Sequence, residues 1–140
     1  MKKMMTFCAA LVLAVFVAGC NKEEGKGGGE ASEGAGKVLG TSQIAGFSVR
    51  VTQESEYKPG AKTKYFIKPE GGQGEPTAVR AWVGSESGEG SLKAKAGFDA
   101  ADGDYDAVVE VPATPPADAK LWVEIEAGGK REKASFPASK

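Results

Sequence analysis

The residue types that most often carry enzyme chemistry are nearly absent from this 140-residue chain. It contains no histidine, its cysteines are Cys8 and Cys20, and its methionines are Met1, Met4 and Met5. From Asn21 onward there is therefore no imidazole to serve as a general base and no thiolate nucleophile. The soft ligands that copper, haem or structural zinc sites use are missing as well. Catalysis would have to rest on carboxylates or on a serine paired with a lysine. No enzyme activity, cofactor or metal is expected.

Two other groupings have types and spacings that bear on function. Asp99, Asp102, Asp104 and Asp106 concentrate carboxylates in one short stretch. Their offsets are not those of an EF-hand calcium loop, and Asp102-Gly103 has the chemistry of a solvated hairpin turn. The second grouping is aromatic. Trp82 is out of phase with Val79, Ala81 and Val83 and in phase with Arg80, whereas Trp122 is in phase with Glu124 and Glu126. Both tryptophans thus fall on the polar side of their segments. If those segments are neighbouring strands, Trp82, Trp122, Arg80 and Glu124 form a candidate binding surface suited to a protein or a sugar partner. The alternatives are that a bulge turns one tryptophan into the core, or that a flanking segment covers it.

Short strands must position these side chains, because apolar residues alternate with polar ones and no sustained helical stripe occurs. Phe47, Val49 and Val51 begin the pattern, and Lys58-Pro59-Gly60-Ala61 then supplies a turn with Pro second and Gly third. A second strand spans about Lys62 to Lys68 around Tyr65 and Ile67. The third carries Val79, Ala81 and Val83, and Ser85 to Gly90 is a polar loop. Leu92, Ala94, Ala96 and Phe98 mark a fourth strand. Tyr105, Ala107, Val109 and Val111 mark a fifth, after the Asp102-Gly103 turn. Leu121, Val123 and Ile125 form the sixth, and Gly128-Gly129 turns the chain into a seventh over Glu132 to Phe136.

Seven short strands at this spacing predict an all-β, two-sheet sandwich of immunoglobulin-like architecture over residues 42–140. The Pro59-Gly60 turn, the run Gly103-Asp104-Tyr105-Asp106-Ala107 and the strand Leu121-Trp122-Val123 resemble the small YtkA-like and FixH-like extracytoplasmic sandwiches. That resemblance covers most of Phe47 to Phe136. It implies a fold and carries no function with it.

The amino-terminal part has a different organisation. Lys2 and Lys3 precede an apolar run, Met4 to Val17, interrupted only by Thr6 and too short for a convincing membrane span. The run ends in Val17-Ala18-Gly19-Cys20, which resembles the lipobox of bacterial lipoproteins. By that resemblance residues 1–19 are a signal peptide and Cys20 becomes the lipidated first residue, so the membrane is a partner through its lipid. Asn21, in place of an aspartate that would favour inner-membrane retention, points to the outer membrane, facing the periplasm. Cys20-Asn21-Lys22-Glu23-Glu24 is also similar to the export signal of some surface lipoproteins. Loss of Lys2 and Lys3 leaves 16 of the 18 basic residues against 19 acidic ones, so there is no nucleic-acid footprint.

Residues 20–41 are expected to be a lipidated cysteine and a disordered Gly/Glu/Lys tether, since no large apolar residue occurs there before Val38. The expected function is that of a lipid-anchored cell-envelope lipoprotein, a non-catalytic binding or accessory module for an envelope protein partner. The alternative is a small-ligand or glycan module using Trp82 and Trp122. Replacing Cys20→Ser should abolish lipid labelling and move the protein from the membrane to the soluble fraction. Continued labelling of that variant would refute the lipid site.

Overall fold

The computed structural model describes residues 36–138, and within them the chain forms nine strands and no helix. The strands are β1 (Lys37–Ile44), β2 (Phe47–Gln53), β3 (Lys62–Glu70), β4 (Ala78–Gly84), β5 (Ala94–Lys95), β6 (Gly97–Asp99), β7 (Asp104–Glu110), β8 (Lys120–Ala127) and β9 (Lys130–Pro137). All pairings are antiparallel. One sheet has the order β1-β2-β3-β7-β6 and the other β5-β4-β8-β9. Apart from β1 and the two-residue β5, this is the immunoglobulin arrangement, with strands A, B, E and D in one layer and C, F and G in the other. The expected signal and Cys20 lie outside the described residues.

Alternation decides which side chains enter the core. Val49, Val51, Tyr65, Ile67, Ala107 and Val109 point inward from the five-stranded sheet. Val79, Ala81, Val83, Leu121, Val123 and Ile125 meet them from the four-stranded one. Each aliphatic side chain of this size contributes roughly 1.5–3 kcal/mol when fully buried. The turn between β2 and β3 has the expected form. Ala61 N donates to Lys58 O at 3.1 Å, and Gly60 takes φ +76°, a value that L side chains adopt only with strain.

Two elements depart from the sequence expectation. Strand β1 covers residues 37–41, which were expected to end the tether. Its register against β2 shifts between Val38 and Gly40, so its apolar residues keep no regular period, and as an edge strand it is held largely by backbone pairing. The expected fourth strand is split. Ala94 and Lys95 pair with β4, Ala96 N donates to Val79 O at 2.9 Å, and the chain then crosses to pair with β7 in the opposite sheet. Ala96, at the crossing, is buried, whereas Phe98 beyond it is 57% exposed and Leu92, in the loop before β5, is 64% exposed.

The crossing strand spans one side of the sandwich, and β1 packs beside β9 on the other. A carboxylate reinforces that second side. Ala45 sits at φ +51° in the Ala45-Gly46 turn between β1 and β2, and its N–H donates to Glu132 Oε2 of β9 at 2.8 Å. An inward-leaning charge on an edge strand also discourages further strand addition there.

Candidate functional site

The outer face of the four-stranded sheet is built by the side chains that the core rejects. On β4 these are Arg80 and Trp82, on β8 Trp122, Glu124 and Glu126, and on β9 Arg131 and Lys133. Register sets their neighbours: Trp82 lies opposite Trp122, Arg80 opposite Glu124, Glu124 opposite Lys133, and Glu126 opposite Arg131. The four candidates taken from the sequence, Trp82, Trp122, Arg80 and Glu124, are therefore on one face and in contact range. Glu126, Arg131, Lys133 and Lys93 complete the arrangement and were not among those candidates.

The tryptophans stack with ring centroids 6.4 Å apart and planes 15° from parallel. Such aromatic pairs contribute about 0.5–1.5 kcal/mol beyond their area burial. The expected exposed pair is corrected in one respect, because Trp82 is 0% exposed although it is outside the central core. The loop of residues 85–93 covers it. Trp82 Nε1 donates to Ser85 O at 2.8 Å, Trp122 Nε1 donates to Gly84 O at 3.2 Å, and Ser91 Oγ donates to Val83 O at 2.6 Å. The Lys93 ammonium lies 4.2 Å from the Trp82 ring centroid, within the range of a cation–π contact. Gly88 lets the loop approach, for a Cβ there would sit 3.2 Å from Trp82 Nε1 and 2.5 Å from Lys93 Cε. Trp122 remains half-buried and forms the accessible part of the pair.

Beside the indoles, two arginines bracket two glutamates. Arg80 Nη1 lies 3.4 Å from Glu124 Oε1 and 3.3 Å from Glu126 Oε2. From the other side, Arg131 Nη2 lies 3.0 Å from Glu126 Oε2 and Arg131 Nε lies 3.7 Å from Glu124 Oε1. Glu124 is only 8% exposed, and a carboxylate so withdrawn from water needs both cations. Lys133 donates to Glu86 O at 3.2 Å and pairs with Glu86 Oε1 at 3.4 Å, which ties the covering loop to β9.

The arrangement offers an array of fixed donors and acceptors around an indole, and no nucleophile is paired with a base in it. Two shallow depressions, of about 260 Å³ beside Phe136 and about 230 Å³ beside Gly72 and Gly128, are not lined by either tryptophan. In the acidic stretch, Asp99 Oδ1 accepts from Ala101 N at 2.8 Å and Asp106 pairs with Lys64 at 3.1 Å. Among the described residues, no group of three or more His, Cys, Asp or Glu is placed to hold a metal ion. In comparisons with protein-family models, curated proteins and solved structures, nothing matches this chain.

Hydrogen bonds from Arg131 and then Arg80 hold the Glu126 carboxyl below its ordinary value of 4.5. A depressed carboxylate contributes stability that is fully present above its unfolded value and is lost as pH falls through the lowered folded value. Glu126→Gln should therefore reduce the urea midpoint at pH 7 and leave it unchanged once the pH is below that lowered value. An equal loss at both pH values would contradict the ion lattice.

Proposed function

We propose that this chain is a lipid-anchored, non-catalytic binding module of the cell envelope, whose partner is a protein that docks on the outer face of the four-stranded sheet. The observation that supports this reading best is the locked state of the Trp122, Arg80 and Arg131 side chains. Tryptophan and arginine are the residue types over-represented among interface positions that dominate binding energy. Here their rotamers are already fixed by stacking and by the two glutamates, so less side-chain freedom is lost when a partner arrives.

Arg80 spans Glu124 and Glu126 with one Nη1, and Arg131 divides Nε and Nη2 between the same two carboxylates, so donors remain on both guanidiniums for a partner's acidic groups. A sugar platform made of both tryptophans has less support, because the residue 85–93 loop occupies the outer side of Trp82. Lipid on Cys20 would hold the module at the outer membrane facing the periplasm. Two or three acyl chains give effectively permanent attachment, since each buried methylene contributes roughly 0.8 kcal/mol.

Affinity capture from envelope extract with the tagged full chain tests the reading. One protein should be retained at near-equal stoichiometry, lost with Trp122→Ala and with Arg80→Glu, and kept with the exposed-loop control Asp118→Ala. Retention that is the same for all three variants, each confirmed as folded by its melting profile, would contradict docking on this face.

A further inference from the structure

The outer face of the five-stranded sheet is divided by charge. Strands β2 and β3 turn Arg50, Lys62, Lys64 and Lys68 outward, with Glu70 at the end of β3 the one acidic residue among them, whereas β7 and β6 turn Asp99, Asp104, Asp106 and Glu110 outward. Across one row the division is sharpest. Arg50 is the register partner of Lys68, and Asp99 is the register partner of Asp104. Continuing the β3–β7 register by one step sets Lys68 beside Asp104, and the two charges interact. The row therefore runs plus, plus, minus, minus.

Like charges directly opposite each other in a sheet are destabilising, and this face carries two such pairs. Across the β3–β7 seam Lys62 is the register partner of Glu110 and Lys68 acts on Asp104, which relieves part of it, while Arg50 and Asp99 at the outer positions of the row gain nothing from that seam. Lys64 bridges to Asp106 at 3.1 Å and to Glu54 at 3.7 Å, but Arg50, Lys68, Asp99 and Asp104 make no ion pair with another described residue. The Asp104 carboxyl is pushed up by burial and by repulsion from Asp106, Asp102 and Asp99, with Lys68 opposing that rise. At the seam between the two halves stand Phe66, half-buried, and Val108, which is 53% exposed. They lie diagonally across β3 and β7 on the same face.

We propose that this face is the interface of a two-fold dimer formed with a second copy of the chain, its axis running along the strands at the seam between β3 and β7. Rotation by a half turn about that axis reverses the order of each row. Arg50 and Lys68 of one copy then lie against Asp99 and Asp104 of the other, and both like-charge pairs gain opposite partners. Near the axis Phe66 stands over Asp106 and Val108 over Lys64 of the other copy, with Phe66 and Val108 diagonal to each other. The contact is isologous and closes at two copies. An anionic membrane would attract only the basic half and repel the acidic half, so a self-complementary surface fits the division better.

Four strands at about 4.8 Å spacing and some seven residues at about 3.3 Å make a face of roughly 450 Å² per copy. Two copies together would bury roughly 900 Å², below the range of stable specific interfaces, so the dimer is a weak one that depends on concentration and on salt. Confinement of the chain at a membrane would favour it by raising the effective concentration. The proposal concerns the sheet opposite the Trp122 surface and is independent of partner docking there, but it rests on the proposed membrane anchoring, whose failure would show as absence of the chain from the membrane fraction rather than as absence of the linked dimer.

Chemical cross-linking of the full chain in cells tests it. With a short bismaleimide, Val108→Cys should yield a linked dimer well above the parent chain and above Ser135→Cys on the other sheet, more at low salt than at high salt in isolated membranes. Adding Arg50→Glu and Lys68→Glu should reduce the yield about tenfold or more, as should adding Asp99→Lys and Asp104→Lys. Co-expression of the two reversed chains, tagged to differ in size, should restore a mixed dimer. A Val108→Cys yield no higher than that of Ser135→Cys would overturn the proposal, as would a yield indifferent to salt or undiminished charge-reversed self-linking.

Discussion

The arrangement on the four-stranded sheet depends on one register, that of β4 against β8, carried on to β9 by the Gly128-Gly129 hairpin. Side chains alternate with a period of two, so a slip of one residue would send Trp82, Trp122, Glu124 and Arg131 into the core and expel Val83, Val123 and Ile125. The buried aliphatic set thus specifies the outer face. In turn, the outer face penalises a slip, because the stacked indoles and the two arginine–glutamate brackets form only in this alignment.

The two sheets use their outer faces differently. On the four-stranded sheet the charges of β8 and β9 around the indoles are answered within the chain: Glu124 and Glu126 lie between Arg80 and Arg131, and Glu86 meets Lys133, while Lys95 on the edge strand stands opposite Arg80. On the five-stranded sheet the charges are sorted by strand apart from Glu70, and Arg50 and Asp99 each stand opposite a like charge without an ion pair. The first is a rigid mixed surface around one accessible indole. The second has polarity, and its balance is improved only by something that presents the opposite order of charge.

Much of the fold was legible in the residues, and the reasons are specific. Pro59-Gly60 and Gly128-Gly129 each admit few turn geometries, and the alternating runs at Val79 to Val83 and Leu121 to Ile125 admit one inward face. Strand β1 was hidden because the register shift after Val38 destroys the period on which such reading relies. The sheet switch at Ala96 was hidden because Leu92 to Phe98 alternates without interruption, and nothing local reveals that the pairing partner changes from β4 to β7. At the candidate site, phase placed both tryptophans outside the core, but phase does not show what else lies there. Trp82 is covered by a loop whose glycines permit close approach, a tertiary event with no periodic signature. Arg131 and Lys133 were within reach of hairpin arithmetic, since a two-residue turn at Gly128-Gly129 puts them opposite Glu126 and Glu124.

The most direct test of this account is the set of proton–proton Overhauser contacts made by the two indole rings in a nuclear magnetic resonance spectrum of the chain. The account predicts contacts between the Trp82 and Trp122 rings, from Trp82 to Gly88 and the Lys93 methylenes, and from Trp122 to Lys133. Contacts from either indole to the core side chains Val49, Ile67 or Val109, with none between the two rings, would contradict the register from which the whole outer face is derived.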